Sequence, residues 1–256
     1  MIKKSFIFLE GIRERTEQKL WSQGINNWND FIKSNDIKGV GSKRRIFYDQ
    51  KIRAASEALR NEQSSFFTGM KDSWRLYDYF KDKVVFLDIE ISNRYGDITI
   101  MGLFDGIDTK VMVKGINLDK ELLKKELSNY KLIISFNGSS FDLPKIDKYF
   151  DDIIPEVPHI DLRHVCAKVG LTGGLKEIEK ELGLDRPHII DTMYGGDPTL
   201  LWKRWLATGD CDYINLLVRY NEEDIINLKP IAEHAIKKLW KKIRYQQNES
   251  PQPQVL

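Results

Sequence analysis

Acidic residues interrupt apolar segments at three places in the 256-residue chain. The first is Phe86-Leu87-Asp88-Ile89-Glu90, closing an apolar run that begins at Val84. Side chains two apart on a strand share a face, so Asp88 and Glu90 point the same way. Like charges side by side destabilise a sheet unless a cation sits between them. Hard divalent ions such as Mg²⁺ and Mn²⁺ take oxygen ligands of this kind. Taken alone, the pair reads equally well as two solvent-facing acids on an edge strand. The second place is Ser135-Phe136-Asn137-Gly138-Ser139-Ser140-Phe141-Asp142-Leu143-Pro144, where an apolar strand passes through an Asn-Gly turn into a helix. Asp142 falls among the first residues of that helix, where an aspartate is also a common N-cap. The third is Arg219-Tyr220-Asn221-Glu222-Glu223-Asp224. On a helix Tyr220 and Asp224 lie one turn apart on one face, beside an apolar stripe through Ile225 and Leu228. By itself this segment reads as a solvated acidic face.

The elements that must position these residues change character along the chain. Residues 1–70 read as helical, with helix formers from Glu14 to Trp21 and a stop at Gly24. Trp28, Phe31 and Ile32 fall at helical spacing, and a further helix runs to about Leu59. The polar stretch 61–70 reads as a hinge. From Val84 short apolar runs take over: 84–87, 98–104 and 110–113 form a three-stranded meander, and Leu132–Phe136 is another strand. Leu118–Leu127 is helical, and the chain after Phe136 is mostly helical to about Arg244. Strands first and helices after imply an α/β fold, a mixed β-sheet flanked by helices and preceded by a small all-helical module. The expected division is 1–70, 71–245 and a disordered tail, 246–256.

In order and local sequence the three acidic sites resemble the DEDD superfamily of 3′–5′ exonucleases, which have a ribonuclease-H-like fold. Asp88 and Glu90 match its Asp-x-Glu motif, and Asn137, Phe141, Asp142 and Pro144 match its second motif. Tyr220 and Asp224 match the Tyr-x-x-x-Asp motif of the tyrosine subtype, an arrangement shared by the proofreading domains of B-family polymerases; the histidine subtype would need His where Arg219 stands. The resemblance covers about residues 82–240. It is closest to YprB-like proteins, through His159–Leu162, Gly173-Gly174-Leu175-Lys176 and Leu182-Gly183-Leu184. The resemblance implies that Asp88, Glu90, Asp142 and Asp224 hold two Mg²⁺ or Mn²⁺ ions about 3.5–4 Å apart. It implies that Tyr220 orients the attacking water and that nucleoside 5′-monophosphates are released. Asn137 and Phe141 become candidates for contacts to the terminal nucleotide, Phe141 by stacking; a core phenylalanine is the other reading. Asp161 fits a position near the site without being one of the four ligands, or a helix N-cap. Asp191 and Asp197 read as turn acids.

The net charge of +2 is a cancellation: residues 1–70 hold 13 basic against 8 acidic side chains, and the rest hold 27 against 30. Within the basic front, Gly39-Val40-Gly41 leading to Lys43, Arg44 and Arg45 resembles a helix–hairpin–helix turn. Its glycines and helix-start amides suit a phosphate. The segment Leu9-Glu10-Gly11-Ile12-Arg13 is a weaker copy. A packing module whose core is Trp21, Trp28 and Phe31 is the alternative. Lys237, Lys238, Lys241, Lys242 and Arg244, with Leu239, Trp240 and Ile243 between, read as a solvated face over an apolar stripe, with a lining of the nucleic-acid path as the alternative.

A mean hydropathy of −0.43 and 11% aromatic residues exclude disorder. No apolar run approaches the roughly 18 residues of a membrane span, and the start lacks a signal-like segment. Two cysteines, Cys166 and Cys211, form no framework, so a cytoplasmic setting is expected. His159, His164, His188 and His234 lack zinc-ligand spacing, and no Walker A or Gly-x-Gly-x-x-Gly follows a strand. The expected partner is nucleic acid, as single strands or 3′ ends, with DNA favoured over RNA. An inactive nuclease-like scaffold and a structure-specific endonuclease are the alternatives.

Overall fold

The computed structural model describes residues 1–93, 96–187 and 197–245. His188, Asp191, the Gly195-Gly196 turn and the expected tail at 246–256 lie outside the described residues. A five-stranded sheet has the order β3-β2-β1-β4-β5, from β1 (Val84–Ile91), β2 (Ile98–Phe104), β3 (Thr109–Val113), β4 (Leu132–Ser135) and β5 (His159–Asp161). The first three strands form the antiparallel meander, while β4 and β5 run parallel to β1. The pair Asp88 and Glu90 therefore sits on a central strand, not on an edge. β5 departs from the helical reading of the chain after Phe136. Three residues are too short for an alternating pattern, and β5 exists only by pairing with β4.

Alternation along the strands sorts side chains to two faces. Val85, Leu87, Ile89, Met101, Leu103 and Ile133 pack against α5 (Lys120–Leu127) and α6 (Asp142–Phe150) through Leu123, Leu127 and Ile146. Val84, Phe86, Phe104, Leu132 and Ile134 share a buried cluster with Ile225, Leu228 and Ile231 of α10 (Cys211–Tyr245). Asp88 and Glu90 have the parity of Val84 and Phe86, so the pattern that buries the sheet also turns both acids toward α10. α7 (Leu162–Lys168), α8 (Leu175–Leu182) and α9 (Pro198–Thr208) complete this layer. Leu201 and Trp202 of α9 close the end of it against Ile100 and Val113.

The N-terminal segment contains α1 (Glu14–Ser22), α2 (Trp28–Lys33) and α3 (Ser42–Arg60); the short α4 (Tyr77–Phe80) leads into β1. Asn27 caps α2 by accepting from the amides of Asn29 and Asp30. Phe6, Leu20, Trp28, Phe31 and Ile52 are buried in the same cluster that holds Trp74, Phe80 and Leu239. Within the stretch read as a hinge, Ser64–Phe67 forms a 3-10 turn with Ser64 and Phe67 buried. A fully buried ion pair joins Arg75 to Glu17 at 2.6 Å, and Glu17 also accepts from the Phe6 amide and the Ser5 hydroxyl. At the other end, Lys237, Lys238, Lys241 and Lys242 are exposed while Leu239 and Ile243 are buried, so the C-terminal basic run is a solvated face over an apolar stripe. No helix among the described residues is long and apolar enough to cross a membrane.

Candidate active site

β1 is longer than its parallel neighbour. β4 pairs with it only as far as Phe86, so past that point the β4 side of β1 has no strand partner. The Ile89 amide in this stretch donates instead to Asp142 Oδ1 at 3.2 Å. An unpaired buried amide is costly, which explains why a carboxylate at the first position of α6 turns toward β1. The N-cap position belongs to Phe141, so Asp142 is not a capping residue.

On the other side of β1, Asp88 lies opposite Gly102 of β2. A Cβ at Gly102 would fall 1.9 Å from Asn221 Oδ1 and 3.1 Å from Ile225 Cδ1, so the missing side chain lets α10 lie close on the sheet. Asn221 Nδ2 donates to Asp88 Oδ2 at 2.9 Å. One turn on, Asp224 joins the two strand acids: one oxygen each of Asp88, Glu90 and Asp224 lies within 4.8 Å of the others. This is the only such group of three potential metal ligands among the described residues.

Burial, followed by the charges of Asp142, Asp224 and Glu90, holds Asp88 well above the usual carboxylate range. Glu90 is raised likewise, by burial and then by Asp224 and Asp142. Burial lifts Asp142 to about 7 against bonds from backbone amides, and lifts Asp224 to about 6 against the opposing charge of Arg186. Four crowded acids with only oxygen donors are a set that divalent cations fit, since burial and their mutual repulsion outweigh what Arg186 and Lys176 offset and hold all four above the usual range.

Protonation of such raised groups favours the folded state. That contribution is complete below the ordinary aspartate value of 3.8 and is lost as the pH rises through about 6 for Asp224 and about 7 for Asp142. His159 acts in the opposite sense: burial lowers it to about 4, so its contribution is lost as the pH falls from 6.5. In EDTA, raising the pH from 5.5 to 8 should lower the melting temperature of the wild type more than that of Asp142→Asn, a comparison in which His159 cancels. Parallel curves would contradict this electrostatic picture.

A cationic arm faces the acids. Arg186, almost fully buried, donates to both Glu179 oxygens at 2.7 Å and also to Asp224. Asn227 Nδ2 holds Glu179 from behind at 3.0 Å. The Tyr220 ring lies between two cations, with Lys176 Nζ 5.0 Å and Arg186 Cζ 5.6 Å from its centroid. Burial and the nearby Asp224 and Glu90 charges push the Tyr220 hydroxyl above its ordinary value, so it stays protonated at neutral pH.

The Asn137 loop is held by Asp161, which accepts from the amides of Asn137 at 2.8 Å and Ser139 at 3.1 Å. Asp161 also caps α7 through the Arg163 amide. Burial pushes its carboxyl up, but the Ser139 hydroxyl and amide and the Asn137 amide more than offset this and leave it below the usual range. Asn137 adopts a left-handed φ of 65°, and its Oδ1 accepts from Arg163 at 2.8 Å. Phe141 is 39% exposed, which rules out the core reading. Asp197 caps α9 through the Thr199 amide.

The structure thus gathers Asp88, Glu90, Asp142, Tyr220 and Asp224 on β1, α6 and α10, with the Asn137 loop beside them. Gly39 and Gly41 belong to the turn between α2 and α3, and Lys43, Arg44 and Arg45 to the first turn of α3. Gly39 has a φ of +88° and Gly41 is the N-cap of α3. Lys43 and Arg44 are exposed, whereas Arg45 is turned inward, bonded to Asp49 and to the carbonyls of Phe31 and Ile32. Its guanidinium closes the C-terminal end of α2, so of the three cations that follow the glycine turn Lys43 and Arg44 reach solvent, as does Lys38 before it. Sequence reasoning missed Asn221, Glu179, Arg186 and Gly102. Asn221 carried a usable signal, because it precedes Asp224 by three residues and so shares its helix face.

The family model RNase_H_2, of the RNase_H superfamily, matches residues 85–236. Among solved structures, the chain is similar to the family B DNA polymerase from the hyperthermophilic archaeon Pyrobaculum calidifontis, with 14% identity and a TM-score of 0.46 over 59% of this chain and 24% of that one. It is also similar to Escherichia coli RNase D, an exoribonuclease involved in structured RNA processing, with 20% identity and a TM-score of 0.44 over 68% of this chain and 44% of that one. The chain therefore spans about a quarter of the first protein and under half of the second. No curated protein matches it by sequence.

Proposed function

The chain belongs to the RNase H superfamily, and from that premise we propose that it is a metal-dependent 3′–5′ exonuclease of the tyrosine DEDD subtype, similar to YprB-like proteins. It hydrolyses phosphodiester bonds of nucleic acid, DNA in preference to RNA, and releases nucleoside 5′-monophosphates. The observation that carries the reading is the convergence of Asp88, Glu90 and Asp224 within 4.8 Å, with Asp142 bonded to the same strand.

Asp88, Glu90, Asp142 and Asp224 would hold two Mg²⁺ or Mn²⁺ ions. When bound, such ions supply an activated water and offset charge on the reacting phosphorus. The chain's own groups do the positioning. Asn221 fixes one oxygen of Asp88, and Arg186 fixes one oxygen of Asp224. Tyr220, kept protonated, is a poor base but can hold a water by hydrogen bonding. Attack of water on phosphorus forms a P–O bond and breaks the P–O3′ bond. The 3′ oxygen left on the shortened strand takes up a proton, and the terminal nucleotide leaves as its 5′-monophosphate. The exposed ring of Phe141 offers a stacking face for the terminal base, and Asn137 a polar contact beside it.

In this reading residues 1–70 are a helix–hairpin–helix-like module whose Gly39–Gly41 turn, with Lys43 and Arg44, meets phosphates, and 71–245 is the nuclease domain. The unpaired Cys166 and Cys211 suit a reducing, cytoplasmic setting. The test is degradation of linear and circular single-stranded DNA and of linear RNA, each with Mg²⁺ and with Mn²⁺. Mononucleotides from linear DNA, with circles intact, are the expected result. Cleavage of circles would mean endonuclease action, and no metal-dependent cleavage of any substrate would overturn the reading.

A further inference from the structure

Away from the acids, a groove of about 1730 Å³ runs between the N-terminal segment and α7. It is larger than a typical small-molecule pocket, which takes roughly 300–1,000 Å³. Its walls are residues 7–16, one edge of α3, residues 66–72 and α7. Arg13, Arg15, Lys51 and Lys71 line it and are exposed. Against them stand Glu10 and Glu14; the third acid, Asp72, is spent on Arg75 and on Lys168 at 2.9 Å. Two aromatic rings also open into it, Phe47 at 37% and Phe66 at 40% exposure, and Lys51 Nζ lies 5.7 Å from the Phe47 ring. Solvent-facing rings beside a surplus of cations form a surface on which bases stack while phosphates are neutralised.

α7 connects this groove to the candidate active site. Arg163, in its first turn, bonds to Asn137, while His164 and Lys168 of the same helix line the groove. At 1.5 Å per residue the helix is about 10 Å long, a distance that a few nucleotides of single strand can cover.

We propose that this groove binds the single-stranded nucleic acid upstream of the terminal nucleotide, with bases on Phe47 and Phe66 and phosphates on Arg13, Arg15 and Lys51. The inference rests on the nuclease reading and adds to it a second contact region, separate from the Gly39–Arg45 turn. Fluorescence anisotropy of the full chain in EDTA, with labelled oligothymidylates of 4 and 15 nucleotides, tests it. The wild type should bind the 15-mer more tightly than the 4-mer. Phe47→Ala/Phe66→Ala should lose at least about thirtyfold in 15-mer affinity. Arg13→Gln/Lys51→Gln, at exposed positions where folding is unaffected, should lose a similar factor and shallow the log–log salt dependence by about 1.4, at about 0.7 per phosphate contact. Wild-type 15-mer affinity in both double variants would overturn the groove and leave the nuclease reading standing. A wild type that binds neither oligonucleotide and cleaves nothing would overturn both. Tighter binding of a 15-residue polyglutamate than of the 15-mer, lost in the same variants, would assign the groove to acidic protein segments and overturn the proposal.

Discussion

Asp88→Asn and Asp224→Asn are each expected to lower metal-dependent nucleotide release by at least about 10³ while the protein stays folded. The magnitude follows from what the two groups share. With Glu90 they supply the oxygens that converge within 4.8 Å, so loss of either removes a ligand from a site whose charge acts directly on the transition state. Retention of the fold follows from the electrostatics. Both carboxyls are raised by burial, Asp88 also by the Asp142, Asp224 and Glu90 charges and Asp224 by Glu179 against the opposing charge of Arg186, so on balance a neutral amide is tolerated at either position in the metal-free protein. The variants should thus melt no lower than the wild type in EDTA at pH 8, but gain less from added Mn²⁺. A variant that keeps wild-type cleavage would remove its residue from the mechanism. One that unfolds would show that the acid is structural.

Arg75→Met is expected to destabilise the protein by about 3–5 kcal/mol, because it strands the Glu17 carboxylate in a fully buried position. The Arg75 guanidinium donates to both Glu17 oxygens and to the Ser5 hydroxyl. The double variant Glu17→Leu/Arg75→Met should recover part of the loss, since no charge is left stranded at position 17, while the Phe6 amide, the Ser5 hydroxyl and one Asp72 oxygen lose a partner. Urea denaturation of the three proteins measures this. The pair also reaches across residue 70, so the single variant should weaken residues 1–70 and the sheet together in one transition. A loss below about 1 kcal/mol, or two separate transitions, would contradict that coupling.

Elements with a period were legible from the sequence, and those that exist only through pairing were not. The meander, β4 and the long α10 follow from apolar runs and helical spacing. β5 does not, because three residues at an edge carry no pattern without β4 beside them. At the site, Asp88, Glu90, Asp142 and Asp224 were visible because their three segments, each ordinary on its own, follow the order of a motif set they resemble. Asn221 and Gly102 were hidden for a different reason: their importance lies in fitting one another across the contact between sheet and helix. Arg186 and Glu179 form a buried pair seven residues apart, set by a turn of the chain that no local spacing encodes. Arg45 shows the reverse error. As a cation after a glycine turn it reads as a phosphate ligand, yet the carbonyls at the end of α2 take it up.

The central claim is that the carboxylates of β1, α6 and α10 form a site for divalent ions. Calorimetric titration of the wild type and of Asp88→Asn with Mn²⁺, repeated in excess Mg²⁺, tests it most directly. The account predicts saturable binding of about two ions by the wild type, competed by Mg²⁺ and lost or halved in the variant. Equal stoichiometry and affinity in the two proteins, or no binding by the wild type, would contradict it.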